Sequence, residues 1–177
     1  VDKELITKNL TLSYTQESDL EDVHELHSIP EVDQYNTLGI PTNIHVTSVY
    51  LDEWIENRKR RTQFVFSIRL KSTDQFIGLM AITKSHYKYQ KGEVWYKLHP
   101  SFWGNGYATE ALKRLVEFGF ETLNLHRIEA GCAVENIGSI KVLEKVGMIR
   151  EGRRRENLPL KSGWSDNYDY GILRDEF

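Results

Sequence analysis

The segment Trp103-Gly104-Asn105-Gly106-Tyr107-Ala108-Thr109 carries the clearest chemistry in the sequence. It follows a predicted strand and opens a predicted helix. Glycines at alternate positions let a backbone turn sharply and approach a ligand without Cβ interference. The unpaired N–H groups of a helix's first turn point outward with partial positive charge. Together they suit a phosphate or pyrophosphate. Gly-x-Gly alone fits a plain strand-to-helix turn equally well. Two other phosphate motifs are excluded. A nucleotide P-loop ends in Gly-Lys-Ser/Thr, whereas Gly106 is followed by Tyr107-Ala108-Thr109. The dinucleotide fingerprint needs a small residue where Thr109 stands, and it belongs after a first strand rather than past mid-chain.

Other reactive side chains are scattered. Ser139 and Asn136 stand at the start of a predicted short helix, where either can also serve as an ordinary cap. Glu93 opens one predicted strand and Glu156 follows another, so both are candidate carboxylate bases. Cys132 is the one cysteine, which rules out an intrachain disulfide, and its apolar setting reads as core. Six dispersed histidines without a Cys/His cluster give no expectation of a metal. A net charge of -3 supplies no basic field for nucleic acid. Arg153, Arg154 and Arg155 alternate across a strand and read as a solvated edge. No apolar run reaches the roughly 20 residues that span a bilayer, and Leu5-Ile6-Thr7-Lys8 is no signal-peptide core, so a cytoplasmic protein is expected.

The elements that must position these residues follow from periodicity. Strands are predicted at 9–14, 63–70, 75–83, 93–98, 127–134, 148–155 and 168–173. Helices are predicted at 20–27, 47–60, 107–121 and 137–145. Val49, Tyr50, Trp54 and Ile55 mark the apolar side of the second helix, and residues 28–43 read as a loop with one helical turn. The helix at 107–121 puts Ala108, Ala111, Leu112, Leu115, Val116 and Gly119 on one face. The crossover around the glycine loop needs parallel strands, and the hairpins need antiparallel ones. The expectation is one α/β (α+β) domain over residues 1–177: a mixed, mostly antiparallel sheet of about seven strands with about four helices.

The loop resembles the acetyl-CoA pyrophosphate motif of the GCN5-related N-acetyltransferases (GNAT). Gly104, Gly106 and Ala108 match its small positions, and Trp103 is shared with the ribosomal-protein N-terminal (RimJ/RimL-type) branch. Asn136-Ile137-Gly138-Ser139, Glu144-Lys145-Val146-Gly147-Met148 and Gly163-Trp164-Ser165-Asp166 with Tyr170 resemble further elements of that branch, in order. The resemblance implies a transferase that moves acetyl from acetyl-CoA, with no metal, to a primary amine. The amine is a protein N-terminus or a small molecule, and dimers are frequent in the family. It implies that residues 103–109, Asn136 and Lys145 hold the cofactor, between central parallel strands splayed by a bulge. It implies Ser139 as thiolate partner, Glu156 or Glu93 as base, and Tyr35 with Trp95 at the acceptor. Leu143 replaces a tyrosine that many members use as acid. That replacement supports a second reading, an inactive acyl-CoA-binding sensor or subunit.

Overall fold

The computed structural model describes residues 4–177. Its strands are β1 (Glu4–Ile6), β2 (Leu10–Tyr14), β3 (Gln63–Leu70), β4 (Phe76–Lys84), β5 (Lys91–Leu98), β6 (Arg127–Ala133), β7 (Ile149–Leu160) and β8 (Gly163–Leu173). Its α-helices are α1 (Leu20–His27), α2 (Pro30–Asp33), α3 (Ile44–Lys59), α4 (Tyr107–Glu121) and α5 (Ile137–Val146). The strands form one sheet in the order β1-β2-β3-β4-β5-β6-β8-β7. Only β5–β6 is parallel among the described pairs.

Strand alternation builds two cores on the two faces of this sheet. Phe64, Phe66 and Ile68 of β3 join Met80, Ile82, Leu112, Leu115 and Ile128 under α4 and α5. Val65, Leu79 and Ala81 turn the other way, against Val23, Leu26, Leu51 and Trp54 of α1 and α3. In α4 the expected stripe is buried from Ala111 to Gly119, and Phe118 and Phe120 join it. In α3 the buried face is Thr47, Leu51 and Trp54, and Val49 stays 51% exposed. The polar Thr47 can occupy that face because its hydroxyl meets His24 Nδ1 at 2.7 Å, which displaces the stripe expected through Val49.

Among the described residues there are eight strands instead of about seven, because β1 is a three-residue edge strand too short to show alternation. Among them there are also five α-helices instead of about four, because the single turn expected in the loop is α2, begun by Pro30. The β7–β8 hairpin is longer than expected at its tip. β7 is exposed along nearly its whole length, so its apolar pattern is weak. The ladder to β8 and the ion pairs Arg153–Asp166 and Arg154–Asp169 hold it in place. The arginine run therefore does lie on an edge strand.

The central opening has a simple origin. β5 and β6 pair only at Lys91↔Arg127, Gly92↔Ile128 and Glu93↔Glu129. Beyond that point β5 follows β4 to Leu98, and β6 follows β8 to Ala133. The β4–β5 register shows no shift from Lys84↔Gly92 to Gly78↔Leu98. The expected bulge is thus absent from that ladder, and the strands part because each keeps its outer partner.

Gly78 on β4 sets the spacing of this wall. A Cβ there would run into the backbone carbonyl oxygen of Lys97 and come within 3.0 Å of Leu98 Cα. Gly78→Ala is expected to cost about 1–3 kcal/mol, as overpacking does. Urea unfolding reads this against Gly152→Ala, whose Cβ would meet nothing within 4 Å. Equal midpoints for the two variants would refute the close-approach argument.

Candidate functional site

A cavity of about 570 Å³ lies among the Tyr96–Leu98 end of β5, the glycine loop, the start of α4, the start of α5 and residues 31–36. One end is the glycine loop. Gly104 and Gly106 sit at φ +76° and +78°, and a Cβ on either would meet nothing within 4 Å. These glycines are required by conformation, not by space. The first backbone bond of α4 runs from Glu110 N–H to the Gly106 carbonyl at 3.0 Å. No side chain caps the helix. The N–H groups of Tyr107, Ala108 and Thr109 therefore lack intrahelical partners, and all three residues line the cavity.

Glu110 would be a natural competitor for those N–H groups. Instead its carboxylate accepts from Thr7 Oγ1 at 2.5 Å, Asn9 N–H at 2.7 Å and Asn9 Nδ2 at 2.9 Å. Burial works against its ionisation, but these hydrogen bonds hold it below the usual carboxylate range. Trp103 donates from Nε1 to the Leu98 carbonyl at 2.7 Å, tying the loop to β5. Asn105 turns its side chain back onto the Phe102 and Trp103 carbonyls and does not line the cavity.

Midway along the cavity stand Ser139 and Tyr96, their hydroxyl oxygens 2.7 Å apart. Asn136 caps α5, its Oδ1 accepting from Ser139 N–H at 3.2 Å, which fixes the serine at the helix start. Burial pushes the Tyr96 phenol well above its ordinary range, against the pull of the Ser139 hydrogen bond. The phenol therefore remains protonated and can donate. Leu143 is 1% exposed and belongs to the core under the sheet.

Backbone groups face the gap as well. His99 N–H donates to the Ile77 carbonyl at 2.8 Å. In an antiparallel ladder, bonding alternates residue by residue. Lys97 and Trp95 therefore turn their peptide groups to β4, and Tyr96 and Leu98 turn theirs toward the opening.

A second cavity of about 510 Å³ shares Tyr35 and Asn36 with the first and takes in Glu93, Glu129, Glu151 and Asp169. Arg127 holds both Glu129 and Glu151, and Arg154 holds Asp169. Among the described residues the Glu93 carboxylate has no hydrogen-bond or ion-pair partner, so it is the uncommitted carboxylate of this cavity.

The structure thus brings most of the expected residues together. Trp103, Gly104, Gly106, Tyr107, Ala108, Thr109, Asn136, Ser139, Lys145 and Tyr35 share one cavity. Glu93 lies in the adjoining one. Besides Asn105, two expected residues lie outside both cavities. Glu156 is exposed on edge strand β7 at φ +47°, its N–H held by Asp166, and it lines neither cavity. Trp95 packs on Trp54 with centroids 5.7 Å apart and lines neither cavity, because strand alternation turns it into the second core. Tyr96 was missed. Its signal was present in Val94-Trp95-Tyr96: alternation puts Tyr96 opposite Trp95, on the face of the glycine loop.

Cys132 is buried, with its thiol pushed up to about 11 by burial against an opposing contribution from the Ser139 hydroxyl. Thiolate is the reactive form, so alkylation at pH 8 should run roughly two orders of magnitude slower than for a free cysteine. The rate should rise with pH toward about 11. As this is the one cysteine, iodoacetamide kinetics followed by mass spectrometry read it directly. An inflection between pH 8 and 9 would contradict the assignment.

Comparison with known proteins gives a consistent family. The model described as "Acetyltransferase (GNAT) domain" matches residues 9–149. The chain is 32% identical over 177 residues to the uncharacterized N-acetyltransferase p20 of Bacillus licheniformis, covering 98% of this chain and 97% of that one. A GNAT-family acetyltransferase from Bacillus anthracis superposes with a TM-score of 0.87 at 28% identity, covering 98% and 99%. RimJ of Mycobacterium smegmatis, solved in complex with CoA-disulfide, shares the fold with a TM-score of 0.87 at 22% identity, covering 95% and 83%.

Proposed function

Because the chain belongs to the GNAT acetyltransferase family and is an N-acetyltransferase, we propose that the 570 Å³ cavity binds acetyl-CoA and that the 510 Å³ cavity admits the amine acceptor. The observation that carries this is the continuity of one cavity from the free N–H groups of α4 to Tyr96, Lys97 and Leu98, the part of β5 that no longer pairs with β6. The donor set fits the cosubstrate. Amides at a helix N-terminus suit the pyrophosphate, and peptide groups of Tyr96 and Leu98 suit the amides and carbonyl of an extended thioester arm. Lys145 suits a phosphate at the adenosine end. The capping role of Asn136 leaves its Nδ2 for the arm.

In this reading the acetyl group supplies the electrophile, and the chain's residues orient it and move protons. Peptide N–H groups of β5 polarise the carbonyl. Glu93 takes the proton from the acceptor ammonium, directly or through water. As the C–N bond forms and the C–S bond breaks, the nitrogen's second proton passes to the departing sulfur, whose developing charge the Ser139 hydroxyl stabilises by hydrogen bonding, with Tyr96 holding Ser139 across their 2.7 Å contact. That pair provides the hydroxyl that Leu143 does not, which favours an active enzyme over a sensor. A protein N-terminus and a small-molecule amine both remain within the proposal, since Tyr35 and Asn36 border either route.

Turnover of acetyl-CoA with short peptides, polyamines and aminoglycosides, followed by thiol release, tests the activity. No release with any acceptor, alongside normal coenzyme A binding, would favour the sensor. Gly104→Val forces a β-branched residue to positive φ. It is expected to lower coenzyme A affinity about tenfold or more, roughly 1.4 kcal/mol, by calorimetry. Unchanged affinity would remove the loop from the site. Ser139→Ala and Glu93→Gln are expected to lower kcat far more than they change KM, while Glu156→Gln should behave like the parent enzyme. The reverse ranking of the two glutamates would reinstate Glu156.

A further inference from the structure

Lys97 has no part in the steps above; it lines the 570 Å³ cavity and not the 510 Å³ one, but does so beside Tyr35 and Asn36, the two residues common to both and hence at their junction. It sits on β5 between Tyr96 and Leu98. Its ammonium lies over the Trp95 ring at 5.7 Å, on the face away from Ser139. Its only hydrogen bond among the described residues is to His27 Nε2, at 3.3 Å. No carboxylate forms an ion pair with it. Asp33 of α2 contributes field only, and Glu31 of α2 lines the same cavity.

His27 is an unusual partner for a cation. It is 3% exposed, edge-on to Tyr50 and Trp54. Burial first, then Lys97 and His24, lower its pKa to about 3. It is therefore neutral in ordinary buffers. If Nε2 accepts from Lys97, the proton sits on Nδ1, and Nδ1 is buried without a partner. A buried donor is left unmet in an arrangement that points the acceptor nitrogen at Lys97. Burial draws Lys97 down to about 8, which leaves it mainly charged at pH 7. The result is a largely desolvated ammonium with one neutral partner and two unused N–H bonds, facing a cavity. Such a group is completed by an anion.

We infer that Lys97, oriented by His27, binds an anionic group of the acceptor, so that the preferred substrate is an amine bearing a carboxylate rather than a polyamine. This rests on the acetyltransferase reading of the cavity. The test compares kcat/KM within matched pairs: glutamate against glutamine, glycine against glycinamide, and peptides beginning with Asp against Asn, with spermidine as the polycation. The parent enzyme should prefer the carboxylate member of a pair by about tenfold or more. The free amino acids and the peptides show which source of carboxylate is used. Lys97→Met should erase that ratio, and Lys97→Arg should retain most of it. Calorimetry with the N-acetylated acids and their amides reads the same preference without turnover, so a failure of catalysis is not mistaken for a failure of recognition. Circular dichroism and thermal unfolding confirm that each variant is folded. A parent enzyme without preference, a preference for spermidine, or a ratio that survives in Lys97→Met overturns the inference.

Discussion

Two neighbouring parallel strands that stop pairing after three residues govern this molecule. A sheet interior normally tolerates no such opening, because each released peptide group must find another partner. Here the released groups of Tyr96 and Leu98 border a cavity, and the Leu98 carbonyl is claimed by Trp103. The opening persists because β5 and β6 are each locked to an outer partner, over seven register pairs in both cases. The glycine loop, the Ser139 hydroxyl and both cavities are all arranged around that one departure from regular pairing.

Charge is distributed unevenly across the opening. The 570 Å³ cavity presents helix amides, hydroxyls and the cations Lys97, Lys141 and Lys145, with Glu31 and Glu135 also on its wall. The 510 Å³ cavity holds carboxylates that are mostly neutralised by Arg127 and Arg154, with Glu93 left over. In the proposed reaction this division sets amides and cations beside an anionic cosubstrate and leaves Glu93 to meet the acceptor's ammonium. Screening by salt will weaken the exposed pairs more than the buried ones.

Much of this was legible before the structure. The helix 107–121 was read with its observed bounds, because its stripe is strong and its start is marked by glycine. The loop residues fell where spacing put them, since glycine at alternate positions has few other uses before a helix. Legibility failed where tertiary context decides. Thr47 is buried only because His24 lies opposite it, and no local pattern reports that. Glu156 looked suitable by its place after a strand, but β7 is an outer strand, and edge position is a property of the whole sheet. Tyr96 and Lys97 are not marked by any motif: adjacent strand residues serve opposite faces, and which face meets a cavity is decided by the packing of α2, α4 and α5.

The vacant space around Gly104 and Gly106 has a further meaning. The constraint at these two sites is on handedness instead of size. An L-side chain would be strained there by roughly 1–2 kcal/mol even with nothing to strike, whereas a D-alanine installed by chemical ligation would match the torsions and shed glycine's excess freedom. The turn is a mirror-image element embedded in an otherwise homochiral chain, and its stereochemistry, more than its bulk, restricts what can occupy it.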